Sequence, residues 1–280
     1  MIILFHLIIF FIGACFGSFL NCLIYRLAEH QPITGRSFCP RCRKLIAWYD
    51  NIPVASFFLL KGKCRQCREK ISWQYPIVEI LMGFLFLLPV VGLFLSRKEF
   101  LVLGGQNFFS DILEILRVWI VYFILTFIFV YDLKYMAIED VVLLPSIGLV
   151  IMLNLFTSPL VDFLAGLGWE AKLGHMILAV LLAVVFFGGQ YVLTKGKGIG
   201  LGDLRIGLFM AVALGHWSAL FLALVVSYLL GAIISLFLLV LKKRGLKSEI
   251  PLGPFLSLGT FFTFLFGQGV INWFLRSSFR

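Results

Sequence analysis

Long apolar runs separated by short polar breaks occupy most of this chain. The pattern predicts spans over residues 2–25, 76–95, 112–131, 140–157, 174–194, 204–215, 217–241 and 255–275. Most have the roughly 20 residues that an α-helix needs to cross about 30 Å of hydrocarbon. One does not. Between Asp203 and the turn-like Gly215-His216-Trp217 there are too few residues to cross at about 1.5 Å each. The helix after Asp203 is therefore expected to be short and to start below the membrane surface in a recess that water reaches. Irregular backbone at membrane depth is tolerated only where it lines such a cavity or is buried in protein. The fold class expected is an all-α polytopic membrane protein of about eight transmembrane helices.

One stretch breaks the hydrophobicity. Residues 26–75 hold ten of the 24 Lys and Arg, together with Cys39-x-x-Cys42 and Cys64-x-x-Cys67, which are separated by 21 residues. Paired C-x-x-C knuckles near this spacing favour a tetrahedral thiolate zinc site. Disulfides are the competing reading, disfavoured on a reducing cytoplasmic face. A redox C-x-x-C is disfavoured by the second copy and the missing βαβ pattern. Four thiolates leave no open coordination position, so this metal is structural and not catalytic. The insert is close to the size, about 40 residues, below which a fold usually needs a metal or disulfides to hold it. Cys15 and Cys22 have no partner pattern and read as small apolar fillers. The organisation expected is thus a first transmembrane helix (1–25), a cytoplasmic four-cysteine zinc insert (26–75) and a seven-helix membrane core (76–280).

Composition narrows the function classes. With 61% hydrophobic and 14% charged residues, a soluble domain is excluded. The net charge of +10 follows from positive-inside bias and not from nucleic-acid binding, since nothing resembles a recognition helix and the aromatics lie within apolar runs. Threaded through eight spans, 18 basic residues fall on one side and six (Arg97, Lys98, Arg117, Lys172, Arg276, Arg280) on the other. That places the insert in the cytoplasm and both termini outside. Met1 to His6 has no positive n-region and no small-residue cleavage site leading into polar sequence, so it reads as helix and not as signal peptide.

The candidate chemistry is acidic. Gly198-Ile199-Gly200-Leu201-Gly202-Asp203 ends in a carboxylate at the mouth of an apolar segment, where a charge at the centre of a membrane helix costs roughly 2.5–3.5 kcal/mol. The glycines allow close backbone approach, and Gly200 and Gly202 leave room for an extended peptide. The plainer reading is a helix N-terminus capped by Asp. Asp132, after the apolar run 119–131, lies at the same membrane boundary. Two carboxylates in one partly desolvated place share a proton, which supplies a general base and a general acid. Glu79, the one other carboxylate placed in the membrane, reads either as a ligand-site residue or as a polar packing group. Glu139, Asp140 and Glu249 read as solvated, or as negative charge offered to a basic substrate segment. No H-E-x-x-H or G-x-S-x-G is present. The rival classes are a transporter or channel with carboxylate ion sites and a non-catalytic scaffold.

Six pieces in order carry a resemblance over most of the chain: Gly17-Ser18-Phe19-Leu20-Asn21 running to Tyr25-Arg26; the knuckles bracketing Trp48-Tyr49-Asp50-Asn51-Ile52-Pro53; Tyr75-Pro76-Ile77-Val78-Glu79; Tyr131-Asp132; Gly200-Leu201-Gly202-Asp203; and Pro251-Leu252-Gly253-Pro254-Phe255. The chain resembles the bacterial prepilin peptidases, or type IV leader peptidases, which are aspartic peptidases of the inner membrane. The resemblance implies Asp132 and Asp203 as the catalytic pair and type IV pilin or pseudopilin precursors as substrates, cut after a glycine at the cytoplasmic face. It also implies N-methylation of the new N-terminal residue, usually Phe, with S-adenosylmethionine as methyl donor. A cleavage-only peptidase is the variant within the class. The chain carries no Rossmann-type G-x-G-x-x-G for that donor. Two departures stand out: Tyr131 where the family commonly has Phe, and Glu139-Asp140 where it commonly has Pro-Asp.

Overall fold

The computed structural model describes residues 2–96, 108–156, 169–241 and 250–278. Within these every regular element is helical: α1 (Ile2–Ala28), α2 (Ala55–Leu59), α3 (Gln74–Ser96), α4 (Phe108–Tyr135), α5 (Asp140–Phe156), α6 (Trp169–Ala183), α7 (Gly189–Thr194), α8 (Leu201–Leu214), α9 (Trp217–Val240) and α10 (Gly253–Ser278). A π-turn, Val184–Gly188, joins α6 to α7. Six helical stretches are long and apolar enough to cross a membrane, and α5 is a shorter apolar helix. Of the residues in the charge balance, Arg97, Lys98, Lys242, Lys243, Arg244, Lys247 and Arg280 lie outside the described set, as does Glu249.

The chain divides into two units, residues 1–108 and 109–280. In the first, α1 packs along α3 through glycine. A Cβ on Gly13 would stand 2.6 Å from the Met82 carbonyl, one on Gly17 2.7 Å from the Glu79 Cα, and one on Gly83 2.6 Å from the Phe10 ring. Gly13 and Gly17 form a small-xxx-small face, the arrangement that lets helix backbones approach where lipid removes any hydrophobic drive. Polar groups bind the two helices at one end. Asn21 Nδ2 donates to the Tyr75 carbonyl (3.3 Å), and Gln74 Nε2 donates to Asn21 Oδ1 (3.1 Å). Arg26, buried at the end of α1, gathers the carbonyls of Ile33, Gly35 and Arg36, so the chain entering the insert is held by its own last helical cation.

The second unit is built around α8. From Ile206 to Leu214 every residue but Leu208 is buried, and α5, α6, α9 and α10 all pack on it. Its 14 residues span only about 21 Å at 1.5 Å each. The expected short helix is therefore present, and it is also the core. Its last carbonyls end inside protein, where no water can satisfy them. Two side chains do so: Arg117 Nη1 donates to the Ala213 carbonyl (3.0 Å) and Asn154 Nδ2 to that of Val212 (2.8 Å). Gly215, at φ +67°, turns the chain out in the left-handed conformation that favours glycine. Arg117 is 1% exposed, and its charge is met by both oxygens of Glu114, at 2.9 and 2.7 Å.

This alters two expectations. Arg117 is a buried structural cation and not a surface charge facing outward. Glu79 is not the one further carboxylate in the apolar region, because Asp111 and Glu114 of α4 are buried as well. Replacing Arg117 by Met strands the Glu114 charge and a helix-terminal carbonyl together. A loss of about 3–5 kcal/mol is expected for such a broken buried pair, read as a lowered Tm in detergent, with Arg117→Met/Glu114→Gln falling between the single variant and wild type.

Candidate active site and metal centre

Asp132 sits one turn before the end of α4 and is 6% exposed. Its Oδ2 accepts the Gly253 N–H at 2.8 Å. Gly253 begins α10, so the carboxylate meets the positive end of a long helix. Only glycine fits there: a Cβ at 253 would lie 2.5 Å from that same oxygen. Pro254 follows as the second helical residue, where its missing N–H leaves nothing unsatisfied.

Asp203 is the third residue of α8. Its Oδ2 accepts the Gly200 N–H (3.1 Å) while the Asp203 N–H returns to the Gly200 carbonyl (3.2 Å), a reciprocal cap of the helix start. The capping role and a chemical role are compatible, because the cap engages one oxygen. Each aspartate is thus anchored through Oδ2, and among the described residues Oδ1 of neither accepts a hydrogen bond. The two lie within the same unit, near enough for the Asp203 charge to act on Asp132.

The glycines differ in their reasons. A Cβ on Gly202 would strike Ile138 Cδ1 at 2.5 Å, so this residue admits the α4–α5 connection against the start of α8. Gly200 meets nothing closer than 3.8 Å, and the next atom is Asp203 Oδ2 at 3.9 Å, so the space beside that carboxylate is open. The positive φ of the glycine-rich run falls earlier, at Lys195 and Gly196.

The neighbouring charges are spoken for. Tyr131 donates to Glu139 Oε1 at 2.6 Å, and Arg205 Nη1 reaches Asp140 Oδ1 and Oδ2 at 2.5 and 2.6 Å. Neither acid is a free surface charge, and the tyrosine that stands for Phe gains a partner through its hydroxyl. The Asp140–Arg205 pair ties the start of α5 to the first turn of α8, beside Asp203. Sequence reasoning missed Tyr228 of α9, which lies near enough to Asp203 to feel its charge. Its hydroxyl donates to Gln190 Oε1 (3.3 Å), and Gln190 Nε2 donates to the Phe186 carbonyl within the π-turn (3.2 Å). Only the polarity of Gln190 and Tyr228 amid apolar runs could have signalled them.

In the first unit the sulfurs of Cys39, Cys42, Cys64 and Cys67 all lie within 4.8 Å of one another. The Cys39 and Cys67 sulfurs are 3.8 Å apart, and a tetrahedron of Zn–S bonds of about 2.3 Å has edges of about 3.8 Å. All six cysteines are free thiols. The two knuckles are built alike. The Arg43 N–H bonds to the Cys39 carbonyl and that of Arg68 to Cys64, while the N–H groups of Cys39 and Cys64 donate to the carbonyls of Lys44 and Glu69. Arg43 and Arg68 both adopt φ +59°, the left-handed turn that folds each loop back on its metal side. Backbone N–H groups of Cys67 and then Gln66 pull the Cys64 thiol down to about 7, while Cys67, despite the Glu69 N–H, keeps its proton among the other three sulfurs and is pushed up to about 11; metal binding must displace that proton. The donor set and its size fit zinc.

From the second knuckle Arg65 reaches Asp50 in a two-pronged ion pair, 2.7 and 2.6 Å, and lies over the Tyr49 ring. That pair holds the Trp48–Asn51 turn, which leads into Val54. Val54 adopts φ +63°, ψ −54° at the centre of a γ-turn, with the Ala55 N–H bonded to the Pro53 carbonyl. A β-branched residue is strained there by roughly 1–3 kcal/mol. Its N–H donates to Glu79 Oε2 at 2.7 Å, and Ser18 hydrogen-bonds the same carboxylate.

Comparison with known proteins agrees with the motif order. Residues 11–93 match the family described as Bacterial Peptidase A24 N-terminal domain, and residues 119–236 match the Type IV leader peptidase family. Among curated relatives, a prepilin leader peptidase/N-methyltransferase of Aeromonas salmonicida (strain A449) is 31% identical, over 98% of this chain and 95% of its own length. One from Neisseria gonorrhoeae is 32% identical over 96% of this chain and 94% of its own. One from Bacillus subtilis (strain 168) is 27% identical over 96% and 97%. No solved structure matches.

The sulfur geometry sets an expectation for the metal. Elemental analysis of the purified protein should find one zinc per chain at about pH 8. Because binding displaces protons from thiols, the metal should be lost as pH falls and the thiolates take up protons. Retention of stoichiometric zinc by Cys39→Ser/Cys64→Ser would show that the metal sits elsewhere.

Proposed function

The chain belongs to the type IV leader peptidase family, and we propose that it cuts the leader from type IV pilin or pseudopilin precursors with Asp132 and Asp203, then N-methylates the new N-terminus. Family membership displaces the transporter and scaffold readings. The observation that carries the cleavage assignment is the pairing of two carboxylates from separate helices, each fixed through Oδ2 to a backbone N–H with Oδ1 left open.

The mechanism follows from that geometry. One carboxylate keeps its proton because two like charges in a partly desolvated place do not both ionise. The ionised partner takes a proton from a water held between the two Oδ1 atoms, and the oxygen attacks the scissile carbonyl carbon. The protonated partner gives its proton to the carbonyl oxygen. Collapse of the tetrahedral species then breaks the C–N bond as the leaving amine is protonated. The pair works as one titrating unit. Gly200, which has open space beside Asp203, is where an extended peptide approaches, while Gly202 keeps the α4–α5 connection out of its path.

Zinc held by Cys39, Cys42, Cys64 and Cys67 folds the 26–75 insert, and its full thiolate shell leaves it no part in cleavage. Both aspartates belong to the second unit, residues 109–280. S-adenosylmethionine supplies the methyl group; the chain's own residues bind and orient the acceptor amine. The basic insert and the basic connections near both aspartates support an active site at the cytoplasmic face of the inner membrane, with both termini outside. Lipid, and no nucleic acid, surrounds the exposed apolar faces such as Phe11, Phe84 and Phe221.

Incubating purified protein with a pilin-type precursor, with and without methyl donor, should yield a product lacking the leader and, with donor, heavier by one methyl substitution. Asp132→Asn and Asp203→Asn should each lower cleavage about 10³-fold or more with Tm retained. Gly253→Ala pushes the Asp132 carboxylate off its anchor, and cleavage should fall about 10²-fold. Cleavage by the double Asn variant at the wild-type rate would sink the mechanism.

A further inference from the structure

Resting on the two-step reading above, we infer that Glu79 is the receptor for the α-ammonium group of the cleaved chain and takes its proton before methylation. Among the four acidic residues described in the first unit, Glu79 is the one that is buried, at 6% exposure; Glu29 and Glu69 are exposed and Asp50 is paired with Arg65. No cation among the described residues pairs with Glu79. A carboxylate held in apolar surroundings without a countercharge is costly, and a fold keeps one where a cation is to come.

The shape of the site says which cation. A carboxylate offers about four lone-pair positions, and here Val54 N–H and the Ser18 hydroxyl use two. The remainder suit N–H donors. A primary ammonium brings three; the donor's sulfonium brings none, and the donor's own α-ammonium is separated from the peptide amine by the binding test below, which contains no methyl donor. The Val54 donor is also the one most readily displaced, because it is held in a strained γ-turn. An incoming ammonium takes over its place on Oε2 and lets the turn relax. Ser18 of α1 and Val54 line the carboxylate, Gly17 packs on the Glu79 backbone, and Cys15 of α1 is near enough to feel its charge.

The chemistry balances. The ammonium passes one proton to Glu79, which leaves a neutral amine with a lone pair. That pair forms the N–C bond to the methyl carbon of the sulfonium donor as the C–S bond breaks, its electrons staying on sulfur as a thioether. The product is a secondary ammonium, and the proton on Glu79 leaves to water. The carboxylate thus both binds the acceptor and makes it nucleophilic, which needs a charge and not only a hydrogen-bond acceptor.

Binding without any methyl donor tests this. Full-length protein in detergent is titrated with two synthetic peptides that begin with Phe and differ only by an acetyl group on the α-amine. Wild type is expected to bind the free amine about tenfold tighter or more, and Glu79→Gln, which keeps an acceptor for Val54 N–H, to bind both alike. In wild type the preference should fade above about pH 8, near the ordinary pKa of an α-amine. A preference that survives in Glu79→Gln, or that stays flat from about pH 6 to pH 10 in wild type, overturns the inference. So does a Glu79→Gln protein that loses sulfonium-donor binding but keeps its preference for the free amine. Folding of the variant is read from Tm and zinc content, and the pH series on wild type decides the matter without it. A wild type that neither cuts nor methylates precursor sinks the proposed function instead, since the peptide preference depends on neither reaction.

Discussion

A helix too short to cross the membrane has to end inside it, and the cation of Arg117 on the last carbonyls of α8 makes that possible. Without a donor there, the Ala213 carbonyl would face apolar side chains, a penalty that grows as the surrounding dielectric falls. Arg117 meets it, Asn154 meets the Val212 carbonyl, and Glu114 neutralises the guanidinium. The same solution recurs at the other end with opposite sign, where the Asp203 carboxylate closes on the Gly200 N–H. Both ends of α8 are therefore electrostatic anchors, and the helix stands at a fixed depth.

That depth decides where the proposed catalytic carboxylate of Asp203 stands. Because α8 starts at Leu201 and is held from below, Asp203 stays at the edge of the packed core. Asp132 comes to meet it from the last turns of α4, and α10 supplies the opposing N–H through Gly253. Each carboxylate is held by a backbone donor, which does not rotate away as a side-chain donor can. Orientation is in this way inherited from three helices. The Asp140–Arg205 pair and the Ile138–Gly202 contact hold the α4–α5 connection against the same helix start, so the loop after Asp132 cannot drift from Asp203.

The first unit solves a different problem. Its helices approach through Gly13 and Gly17 until backbone meets backbone, and through Gly83 against the Phe10 ring. The polar insert cannot bury enough apolar surface to fold alone. Four sulfurs and a run of short-range turns organise it, and the order passes from the Cys64–Cys67 knuckle through Arg65 and Asp50 to the strained Val54 turn on Glu79. A loop organised around four cysteines thereby ends on a buried carboxylate within the helix pair.

Much of this was legible along the chain. Apolar run lengths locate the helices because hydrocarbon thickness imposes them, and the 12 residues allotted to 204–215 already forced a short helix. The paired C-x-x-C spacing marks four converging sulfurs, since tetrahedral ligation limits how such cysteines can be spaced. Asp132 and Asp203 stand out because ionisable groups at membrane boundaries are expensive to keep. What the linear pattern left open was everything that depends on who lies across from whom. It placed Arg117 among surface charges, passed over Glu114 and Asp111 within an apolar run, and left Asp140 either solvated or facing a basic substrate, because the Ala213 carbonyl that Arg117 caps and the Arg205 that neutralises Asp140 are tens of residues away. It held no sign that Gly202 must also be glycine to admit Ile138, or that Gly253 must be glycine to let a carboxylate in. Hydrophobicity and spacing are local properties; burial, ion pairing and steric exclusion are decided only when distant helices pack.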